Sequence, residues 1–583
     1  MNIDKIKSIR SFYTMKQLKV HKLRNEINTS LHLRTMAHKI VKIHPDDNVL
    51  VALTDLKAGE EISFNNIPII LKEDIQAKHK FVEKVLKPDD EIKMYGVVVG
   101  KALIPIQAGA AITTNNVKHK SAEFEGKKKK FEWTSPDVSK WKDKTFLGYL
   151  RKDGQVGTAN YWVIIPMVFC ENRNVNVIRH AFEEELGFGK PDVYKTYVQE
   201  LVKLYKDGNT DSIPSLKFEE AKGNNRSKIF KNIDGIKMLA HEGGCGGTRQ
   251  DADALCALLA GYINNPNVAG ATVLSLGCQN AQVDLLKMKL NTLNPEFSKP
   301  LIILEQQKEG TEQELLTQAI RQTFLKLIEV NKQERKAAPL SKLVVGLECG
   351  GSDGFSGISA NPAIGHTSDL IAALGGASIL SEFPELCGVE QELLNRCVDI
   401  QTADRFVHLM RAYAKAAEAV GSGFDMNPSP GNIKDGLITD AMKSAGAAKK
   451  GGTSPVTDVL DYTEYIKRSG LTLLCTPGND VESTTAMAGS GANIMLFTTG
   501  LGTPTGNPIV PVIKVSSNTK LAKRMPDIID VDSGPIISGE KTIEQVGAEI
   551  LDLIIDVASG REKTKATLLD QDDFIPWKRG VSL

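Results

Sequence analysis

From about residue 146 onward, short apolar runs alternate with amphipathic stretches at helical spacing, such as residues 313–330 and 543–557. The apolar runs have the length of buried strands: residues 162–168, 271–276, 301–304, 343–347, 471–475 and 493–497. Strands separated by helices predict right-handed crossovers and mostly parallel sheets that are covered on both faces. This part of the chain, about 440 residues long, exceeds one such domain. We therefore predict two α/β domains, residues 146–337 and 338–583, with their boundary in the charged stretch 331–337.

The first quarter of the chain has a different pattern. In residues 37–119, short apolar runs alternate with tight turns, which predicts a small β-rich barrel or hairpin domain. Residues 120–145 are rich in Lys, Glu, Asp and Ser, and we expect a charged, solvated linker. Residues 1–36 are basic, and Met36 stands directly before the first strand-like run. We expect them to be a disordered leader or an over-extended start, with a functional arm as the alternative.

Composition excludes several classes of protein. Hydrophobic residues make up 41% of the chain and charged residues 25%, which is typical of a soluble globular protein. A net charge of +1 gives no electrostatic reason to expect nucleic acid or an anionic membrane as a partner. No apolar run approaches the roughly 20 residues of a membrane helix, and no signal peptide is visible. Eight cysteines without zinc-finger spacing predict free thiols and a cytoplasmic location.

Several predicted strands end in glycine-rich turns that carry a thiol, an imidazole or a carboxylate. The richest turn reads Cys349-Gly350-Gly351-Ser352-Asp353. Comparable turns begin at Cys170, His241, Gly277 and Cys475. Because ligands bind at the carboxyl ends of parallel strands, we predict that these turns line one shared crevice.

The cysteines in these turns have two interpretations. Each alone fits a small buried hydrophobe, and we keep that interpretation for Cys256, Cys387, Cys397 and Cys475. The other set is harder to dismiss, because thiolate and imidazole together suit Fe(II) or Zn(II). Its members are candidates for metal binding or catalysis: Cys170, His241, Cys245, Cys278 and Cys349.

One further glycine-rich stretch, residues 500–506, resembles a dinucleotide fingerprint only loosely. Its spacing is wrong by one residue, and Pro504 removes an N–H where a phosphate-binding helix would begin. We do not expect a nicotinamide cofactor.

Taken in order, these motifs closely resemble the altronate/galactarate dehydratase family, from about residue 37 to the end of the chain. The matching segments are residues 43–53, 153–160, 349–365, 382–385, 427–432, 477–480 and 578–583. The resemblance implies a SAF-type domain at residues 37–119, followed by the two α/β domains of a sugar-acid dehydratase. It implies removal of water from a hexonate or hexarate, with Fe(II) as the usual metal and Mn(II) as the alternative. D-altronate would give 2-dehydro-3-deoxy-D-gluconate, and a homo-oligomer, a dimer, is expected.

The chemistry behind the resemblance guides hypotheses for individual residues. A proton next to a carboxylate is weakly acidic, so the reaction needs a base, an acid and fixed positive charge for the enediolate. We assign Cys170, Cys245, Cys278 and Cys349 to the metal. His241 is a ligand or base, and Asp353 and Asp480 are further acid/base candidates. The residues expected to bind substrate are His79, Gly350, Gly351, Ser352, Asn432, Asn479, Thr503 and Lys514, with Lys514 on the carboxylate. Turn formation is the alternative for Asn432 and Asp480.

Two departures from the family leave the substrate open. Thr113 and Asn115 replace both histidines of a V-H-T-H-N motif, and Leu501 stands where the family has an arginine. Loss of that arginine would remove a bidentate carboxylate clamp. One alternative is therefore a dehydratase or lyase for galactarate or for a sulfonated hydroxy acid. The alternative from another class is a non-catalytic sugar-acid-binding protein.

Overall fold

The computed structural model describes residues 39–190, 193–218 and 227–582. The predicted leader, residues 1–36, lies outside them. A β-rich N-terminal unit comes first, as the turn pattern predicted. Its strands pair as β1-β2-β5, β3-β4 and β6-β7-β8. They are β1 (Ile40–Val41), β2 (Val49–Ala52), β3 (Glu61–Phe64), β4 (Ile67–Ile70), β5 (Lys80–Val82), β6 (Glu91–Met94), β7 (Val97–Ala102) and β8 (Val117–Lys118).

The charged stretch after this unit is a strap that lies along the C-terminal domain. Lys127 Nζ donates to the carbonyl oxygens of Asn395 and Cys397 at the end of a helix, at 2.7 and 2.6 Å. Trp141 is buried, and its indole N–H donates to Asp552 at 2.9 Å. Most residues of the predicted solvated linker, 120–145, are exposed or half-exposed, and Trp141 is the buried exception among them. Lys127 binds the C-terminal end of the helix before Cys397, where free carbonyl groups and the helix dipole favour a cation.

The second domain is built on a parallel sheet in the order β12-β11-β13-β14, and a small antiparallel sheet, β10-β9-β15, lies beside it. Its strands are β9 (Thr145–Leu150), β10 (Val156–Gly157), β11 (Tyr161–Pro166), β12 (Gly235–Met238), β13 (Val268–Ser275), β14 (Leu301–Glu305) and β15 (Lys336–Pro339). Its helices are α1 (Asn172–Leu186), α2 (Val193–Lys206), α3 (Arg249–Asn264), α4 (Val283–Leu293), α5 (Gln306–Glu309) and α6 (Glu312–Val330).

The C-terminal domain contains a parallel sheet of seven strands in the order β18-β19-β17-β16-β20-β21-β22. Its strands are β16 (Val344–Cys349), β17 (Ala377–Leu380), β18 (Val456–Leu460), β19 (Gly470–Leu474), β20 (Ile494–Thr499), β21 (Val512–Ser516) and β22 (Val531–Asp532). Its helices are α7 (Ala360–Ala373), α8 (Glu390–Arg396), α9 (Ile400–Ala419), α10 (Pro430–Lys434), α11 (Asp440–Ala447), α12 (Asp480–Gly489), α13 (Thr519–Arg524), α14 (Gly534–Ile537), α15 (Ile543–Ala558) and α16 (Lys565–Leu568).

Both parallel sheets confirm the predicted architecture, and their strand orders locate two crevices. In the C-terminal sheet the chain moves from β16 outward on one side and later returns to β20 on the other. In the second domain it does the same between β11 and β13. Ligands bind where the strand order reverses in this way, outside the carboxyl ends of the strands. Cys349 is the last residue of β16, at the first of these reversal points. Cys170 and Cys278 come after β11 and β13, at the second.

Among the described helices, none combines the length and the apolar character needed to cross a membrane.

Candidate functional site

Asp353 fixes the conformation of the turn after β16 through hydrogen bonds. This carboxylate is fully buried, and its Oδ1 accepts bonds from the N–H groups of Phe355 and Ser356 and from the Ser517 hydroxyl, at 2.9 to 3.1 Å. Its Oδ2 lies 3.0 Å from Lys78 Nζ in the N-terminal unit. Both oxygens are therefore occupied. The geometry favours a positioning role for Asp353 over the acid/base role predicted for it, which stays a prediction.

The glycines of the same turn leave donors available to a ligand. Within the described residues, the N–H groups of Gly351 and Ser352 have no acceptor. Gly351 has φ +59°, a conformation that side chains other than glycine rarely adopt. A Cβ at Gly350 would lie 1.8 Å from Asp480 Oδ2, so the Asp480 carboxylate sits directly over this backbone. Two adjacent free N–H groups beside a carboxylate are suited to hold a substrate oxyanion.

Behind the turn lies a buried set of charged groups, the acid–lysine cluster. Lys450 Nζ is 2.8 Å from both Cys349 Sγ and Glu382 Oε2. Lys443 Nζ is 2.6 Å from Glu385 Oε1. The cluster consists of Glu348, Cys349, Glu382, Glu385, Lys443, Lys450 and Asp480. Four carboxyl groups thus meet two ammonium groups, so two carboxyl groups have no cationic partner.

Burial in this cluster raises the pKa of two of its carboxyl groups, Glu348 and Asp480. Burial raises the pKa of Asp480 to about 7, and the nearby Glu382 and Glu385 add to the rise. Burial also raises the pKa of Glu348 well above its ordinary value, with Glu382 as the second cause. The same effect raises the pKa of the Cys349 thiol. The cluster therefore holds protons that an exposed acid would have lost.

Three sets of possible ligand atoms lie within 4.8 Å of one another in the described part of the chain. They are His119 with Cys387 and Asp440, Cys349 with Glu382 and Glu385, and Glu348 with Glu382 and Asp480. In the second set Lys450 already supplies the positive charge. In the third set the Oε1 atoms of Glu348 and Glu382 are buried and have no hydrogen-bond partner. The donor type and the orphaned oxygens of the third set fit a hard divalent cation.

Other predicted substrate-binding residues lie around the turn in different settings. Asn432 Nδ2 donates to the Ser352 carbonyl at 2.8 Å, while its Oδ1 completes a capping box at the start of α10. Asn479 is exposed and caps α12 by accepting from the N–H groups of Val481 and Glu482, so it has the helix-capping role typical of asparagine. The substrate contacts proposed for both residues stay predictions.

Lys514 lies in β21, and it contacts Thr503 in the loop that follows β20. Lys514 Nζ donates to the Thr503 carbonyl at 3.0 Å and to the Thr505 carbonyl, and it lies 3.8 Å from the centre of the Phe497 ring. Burial lowers the pKa of Lys514 to about 7, although Asp480 and Asp573 oppose the shift. Thr503 Oγ1 would lie 2.7 Å from a Cβ at Gly351, so this hydroxyl borders the turn.

The N-terminal unit reaches this site through consecutive residues. Lys78 bridges Asp353 and Asp435, at 3.0 and 2.8 Å. His79 Nε2 lies 3.1 Å from the Lys434 carbonyl, and burial lowers the pKa of His79. Lys80 Nζ donates to the Gly436 carbonyl at 2.6 Å. The predicted substrate role of His79 stays a prediction, but the segment does lie against the turn.

Lys78→Met is expected to lower the free energy of unfolding by about 2 kcal/mol, because it breaks the contact between the N-terminal unit and the turn after β16. Breaking a fully buried ion pair costs about 3–5 kcal/mol, and the partial exposure of Lys78 reduces that figure. Thermal unfolding measures the effect. Lys57→Met is the matched control, because its pair with Asp74 is exposed to solvent and should contribute much less to stability. Equal midpoints for the two variants would contradict the structural weight given to Lys78.

The second domain presents three of the four predicted metal-binding cysteines. Cys170, Cys245 and Cys278 are free and exposed, whereas Cys349 is buried against Lys450. No described set of ligand atoms within 4.8 Å includes any of the three exposed thiols. The four cysteines are therefore not gathered around one ion, because β16 belongs to a different sheet from β11, β12 and β13. The turns that were predicted to line one crevice thus follow strands of two different sheets.

His241 lies between these thiols in a fully bonded setting. Its Nε2 lies 2.8 Å from the Pro166 carbonyl, and its Nδ1 accepts from the Gly243 N–H at 3.0 Å. Burial lowers the pKa of His241 to about 4, so the ring is neutral at physiological pH. A neutral imidazole with both nitrogens occupied fixes the turn 241–248. Its predicted role as ligand or base stays a prediction.

Sequence reasoning gave no role to five residues of the site, although two of them, Glu382 and Glu385, lie in a segment that resembles the family: Glu348, Glu382, Glu385, Lys443 and Lys450. A signal existed for Glu348, since a carboxylate inside a fully apolar strand is rarely without function. The other four cysteines are buried, as predicted. Thr113 and Asn115, which replace family histidines, form a local turn bonded to each other at 3.3 Å. The Leu501 carbonyl accepts from Arg524 at 3.1 Å, so a guanidinium from α13 still borders this loop.

Comparison with known proteins places three family models along the chain. Residues 38–120 match the altronate/galactarate dehydratase SAF domain, residues 148–331 the second domain of D-galactarate dehydratase/altronate hydrolase, and residues 340–582 the D-galactarate/altronate dehydratase C-terminal domain. Altronate dehydratase of Bacillus subtilis is 34% identical, over 93% of this chain and 99% of its own. Altronate dehydratase of Escherichia coli is 32% identical over the same shares. Galactarate dehydratase (L-threo-forming) of Escherichia coli is 30% identical, over 92% of this chain and 96% of its own.

Proposed function

Because the chain belongs to the altronate/galactarate dehydratase family, we propose that it removes water from a sugar acid, with D-altronate as the substrate and 2-dehydro-3-deoxy-D-gluconate as the product. The observation that carries the proposal is the pair of free N–H groups at Gly351 and Ser352, directly beside the Asp480 carboxylate. Galactarate is the second candidate, since a relative with that name is nearly as similar.

The reaction breaks the C2–H and C3–O bonds, forms a C2–C3 double bond and yields an enol that becomes the 2-keto acid. Asp480 takes the C2 proton and returns it to the hydroxyl that leaves C3, so that water departs with it. Within the described residues, no donor occupies the Asp480 carboxylate, which leaves it free for substrate. The N–H groups of Gly351 and Ser352 hold the negative charge that develops on the substrate carboxylate.

The remaining groups orient the polyhydroxy chain. The Lys514 ammonium donates hydrogen bonds to two carbonyl oxygens, which leaves its third N–H for the substrate carboxylate. The Thr503 hydroxyl borders the turn and suits a substrate hydroxyl. Arg524, whose guanidinium donates to the Leu501 carbonyl, is the residue that would distinguish a diacid from a monoacid.

A divalent cation, Fe(II) or Mn(II), would be held by Glu348 and Glu382 through their orphaned Oε1 atoms. Its charge would stabilise the enediolate. Asp480, the third carboxylate of this set, is left for proton transfer. Glu348→Gln is expected to weaken Mn(II) binding by about 10-fold or more, because one of two anionic ligands is lost. Titration calorimetry measures the affinity, and Glu482→Gln, outside the set, is the control. Equal affinities would exclude Glu348 as a ligand.

A panel of sugar acids tests the proposed function. D-altronate, galactarate, D-gluconate and sulfolactate would each be incubated with the full chain under reducing, anaerobic conditions with Fe(II) or Mn(II). We expect 2-keto product from D-altronate first. Product from galactarate alone would change the substrate but keep the reaction. No product from any acid, together with thermal stabilisation by one of them, would support a binding protein instead.

We also propose a cytoplasmic location, which the eight free cysteines support. The dimer stays a prediction.

A further inference from the structure

We propose that His119, Cys387 and Asp440 bind one divalent cation of borderline type, such as Zn(II), between the N-terminal unit and the C-terminal domain. This site is separate from the proposed dehydration, whose candidate metal ligands are Glu348 and Glu382, and it does not depend on that function. Three observations support it. The three donor atoms lie together, a buried carboxylate oxygen among them has no partner, and no basic side chain of the described residues neutralises that carboxylate.

Three separate segments of the chain bring these donors together. His119 directly follows β8 of the N-terminal unit, Cys387 lies between β17 and α8, and Asp440 is the first residue of α11. One ligand atom from each residue lies within 4.8 Å of the other two. A tetrahedral zinc site holds its ligand atoms about 3.3–3.8 Å apart. Side-chain rotations that move the donors by about 1 Å are therefore enough to close the set around an ion.

One oxygen of this set is buried without a partner. The Asp440 side chain is fully buried, and its Oδ2 has no hydrogen-bond partner. Its Oδ1 accepts from the Ser444 hydroxyl at 3.3 Å. Burial of a carboxylate oxygen without a partner is costly, and coordination to a cation compensates that cost. The unpartnered oxygen therefore points to a ligand that carries positive charge.

Basic side chains do not supply this positive charge. Among the described residues, no lysine or arginine forms an ion pair with Asp440, and the nearby Lys443 is engaged with Glu385 at 2.6 Å. The neighbouring set is different, because Cys349 contacts Lys450 at 2.8 Å and its charge is already balanced. Of these two sets that contain a thiol, the one with Asp440 is thus the one that lacks a cation.

The imidazole of His119 is available to an ion. Its Nδ1 lies 3.5 Å from the backbone nitrogen of Ala441, which is beyond the usual length of a hydrogen bond and makes this contact weak. His119 is half-buried, whereas Cys387 and Asp440 are buried. The set therefore opens to solvent on the histidine side. An ion can enter there, together with a water molecule that completes its coordination.

The backbone around the donors is closely packed. Gly388, which follows Cys387, has φ +93°, and a Cβ at this position would lie 3.2 Å from Ala441 Cβ and 3.4 Å from Ser121 Cβ. Neighbours of all three donors thus meet at one glycine. Donors on backbone that is fixed in this way are held ready for a ligand. A bound ion would join the N-terminal unit to the C-terminal domain at this junction.

The donor types select a borderline metal. Thiolate, imidazole and carboxylate together suit Zn(II), and Co(II) binds to the same donors. Binding is a ligand exchange in which the thiol and the carboxyl group each lose a proton to solvent. Bonds form from the ion to sulfur, nitrogen and oxygen, and no electrons move. Two negative ligand charges then balance the charge of the ion, so the buried site is neutral.

The test adds Co(II) to the full chain after treatment with a chelator, because a bond between Co(II) and a thiolate absorbs strongly in the near ultraviolet. Wild type is expected to show this absorption, and Zn(II) is expected to displace the Co(II). Cys387→Ser should lose the absorption, and His119→Ala and Asp440→Asn should each weaken Co(II) binding by at least about 10-fold. Cys397→Ser is the matched control, since its thiol is also buried in the C-terminal domain, and it should retain the absorption and the affinity.

Thermal unfolding of the same proteins is the second measurement. Zn(II) should raise the midpoint of wild type and of Cys397→Ser and leave that of Cys387→Ser unchanged. Unfolding without metal checks that each variant is folded. Should Cys387→Ser fail this check, Asp440→Asn decides the question, because asparagine keeps the size of the side chain. Absence of the thiolate absorption in wild type, or equal Co(II) affinity in wild type and the three ligand variants, would overturn the site.

These results separate this inference from the proposed function. Glu348→Gln should keep the thiolate absorption, since the set that contains Glu348 has no cysteine. A chain that dehydrates a sugar acid and shows no bond between Co(II) and Cys387 would support the proposed function and overturn this site. Binding that depends on His119, Cys387 and Asp440 in a chain that dehydrates no acid would do the reverse.

Discussion

Asp480→Asn is expected to lower kcat for sugar-acid dehydration by about 10²–10⁴-fold, the usual contribution of a general acid–base residue. Asparagine keeps the size of the side chain and cannot exchange the proton. The carboxylate lies over Gly350 and beside the free N–H groups of Gly351 and Ser352, where the reacting carbon would bind. Because those N–H groups remain, KM should change much less than kcat.

Steady-state rates of 2-keto acid formation measure this effect. Glu482→Gln is the matched control, since it makes the same chemical change two residues further along α12 and outside the acid–lysine cluster. It should keep nearly the wild-type kcat. An Asp480→Asn variant with wild-type turnover would remove Asp480 from the chemistry and direct attention to Lys514.

Lys450→Met is expected to destabilise the C-terminal domain by about 3–5 kcal/mol, because removal of one partner leaves buried charge without compensation. Lys450 is fully buried, and its ammonium contacts both Cys349 and Glu382 at 2.8 Å. Although burial opposes it, the negative charge of this environment raises the pKa of Lys450 well above its ordinary value. The ammonium is therefore part of the folded structure.

The midpoint of thermal unfolding measures this loss. Lys449→Met, at the neighbouring position, should change stability by no more than about 0.5 kcal/mol. Adding Glu382→Gln to Lys450→Met should restore part of the loss, since the orphaned carboxylate is then neutral. An unchanged midpoint in Lys450→Met would show that protons, and not the ammonium, balance the carboxyl groups.

Much of the scaffold could be predicted from local pattern. Alternating apolar runs and helical stretches indicated two parallel sheets, and strand ends rich in glycine indicated where ligands bind. The Cys349 turn and Asp480 were both found this way. The pattern could not show which of these strands belong to which of the two sheets, and so it placed all the glycine-rich turns at the end of one sheet. Which strands share a sheet depends on long-range pairing, which a run of apolar residues does not encode.

The acid–lysine cluster was mostly beyond such reasoning. Lys450 stands next to Lys449 before a glycine pair and has the composition of an exposed turn. Its burial follows from packing against β16 and β17, which only the assembled fold displays. The charged segment 120–145 is the opposite case, since most of it is exposed and a few residues fix it in place. Its composition is that of a free linker, yet Lys127 and Trp141 fasten it to the C-terminal domain.

That strap has a consequence for how the N-terminal unit stays in place. A short tether turns docking into an intramolecular event with an effective concentration in the millimolar range. Lys78 and Lys80 therefore need only weak intrinsic affinity for residues 353 and 434–436 to remain engaged. A chain severed between residues 120 and 145 would lose this advantage, and its two pieces would assemble only as strongly as those contacts allow.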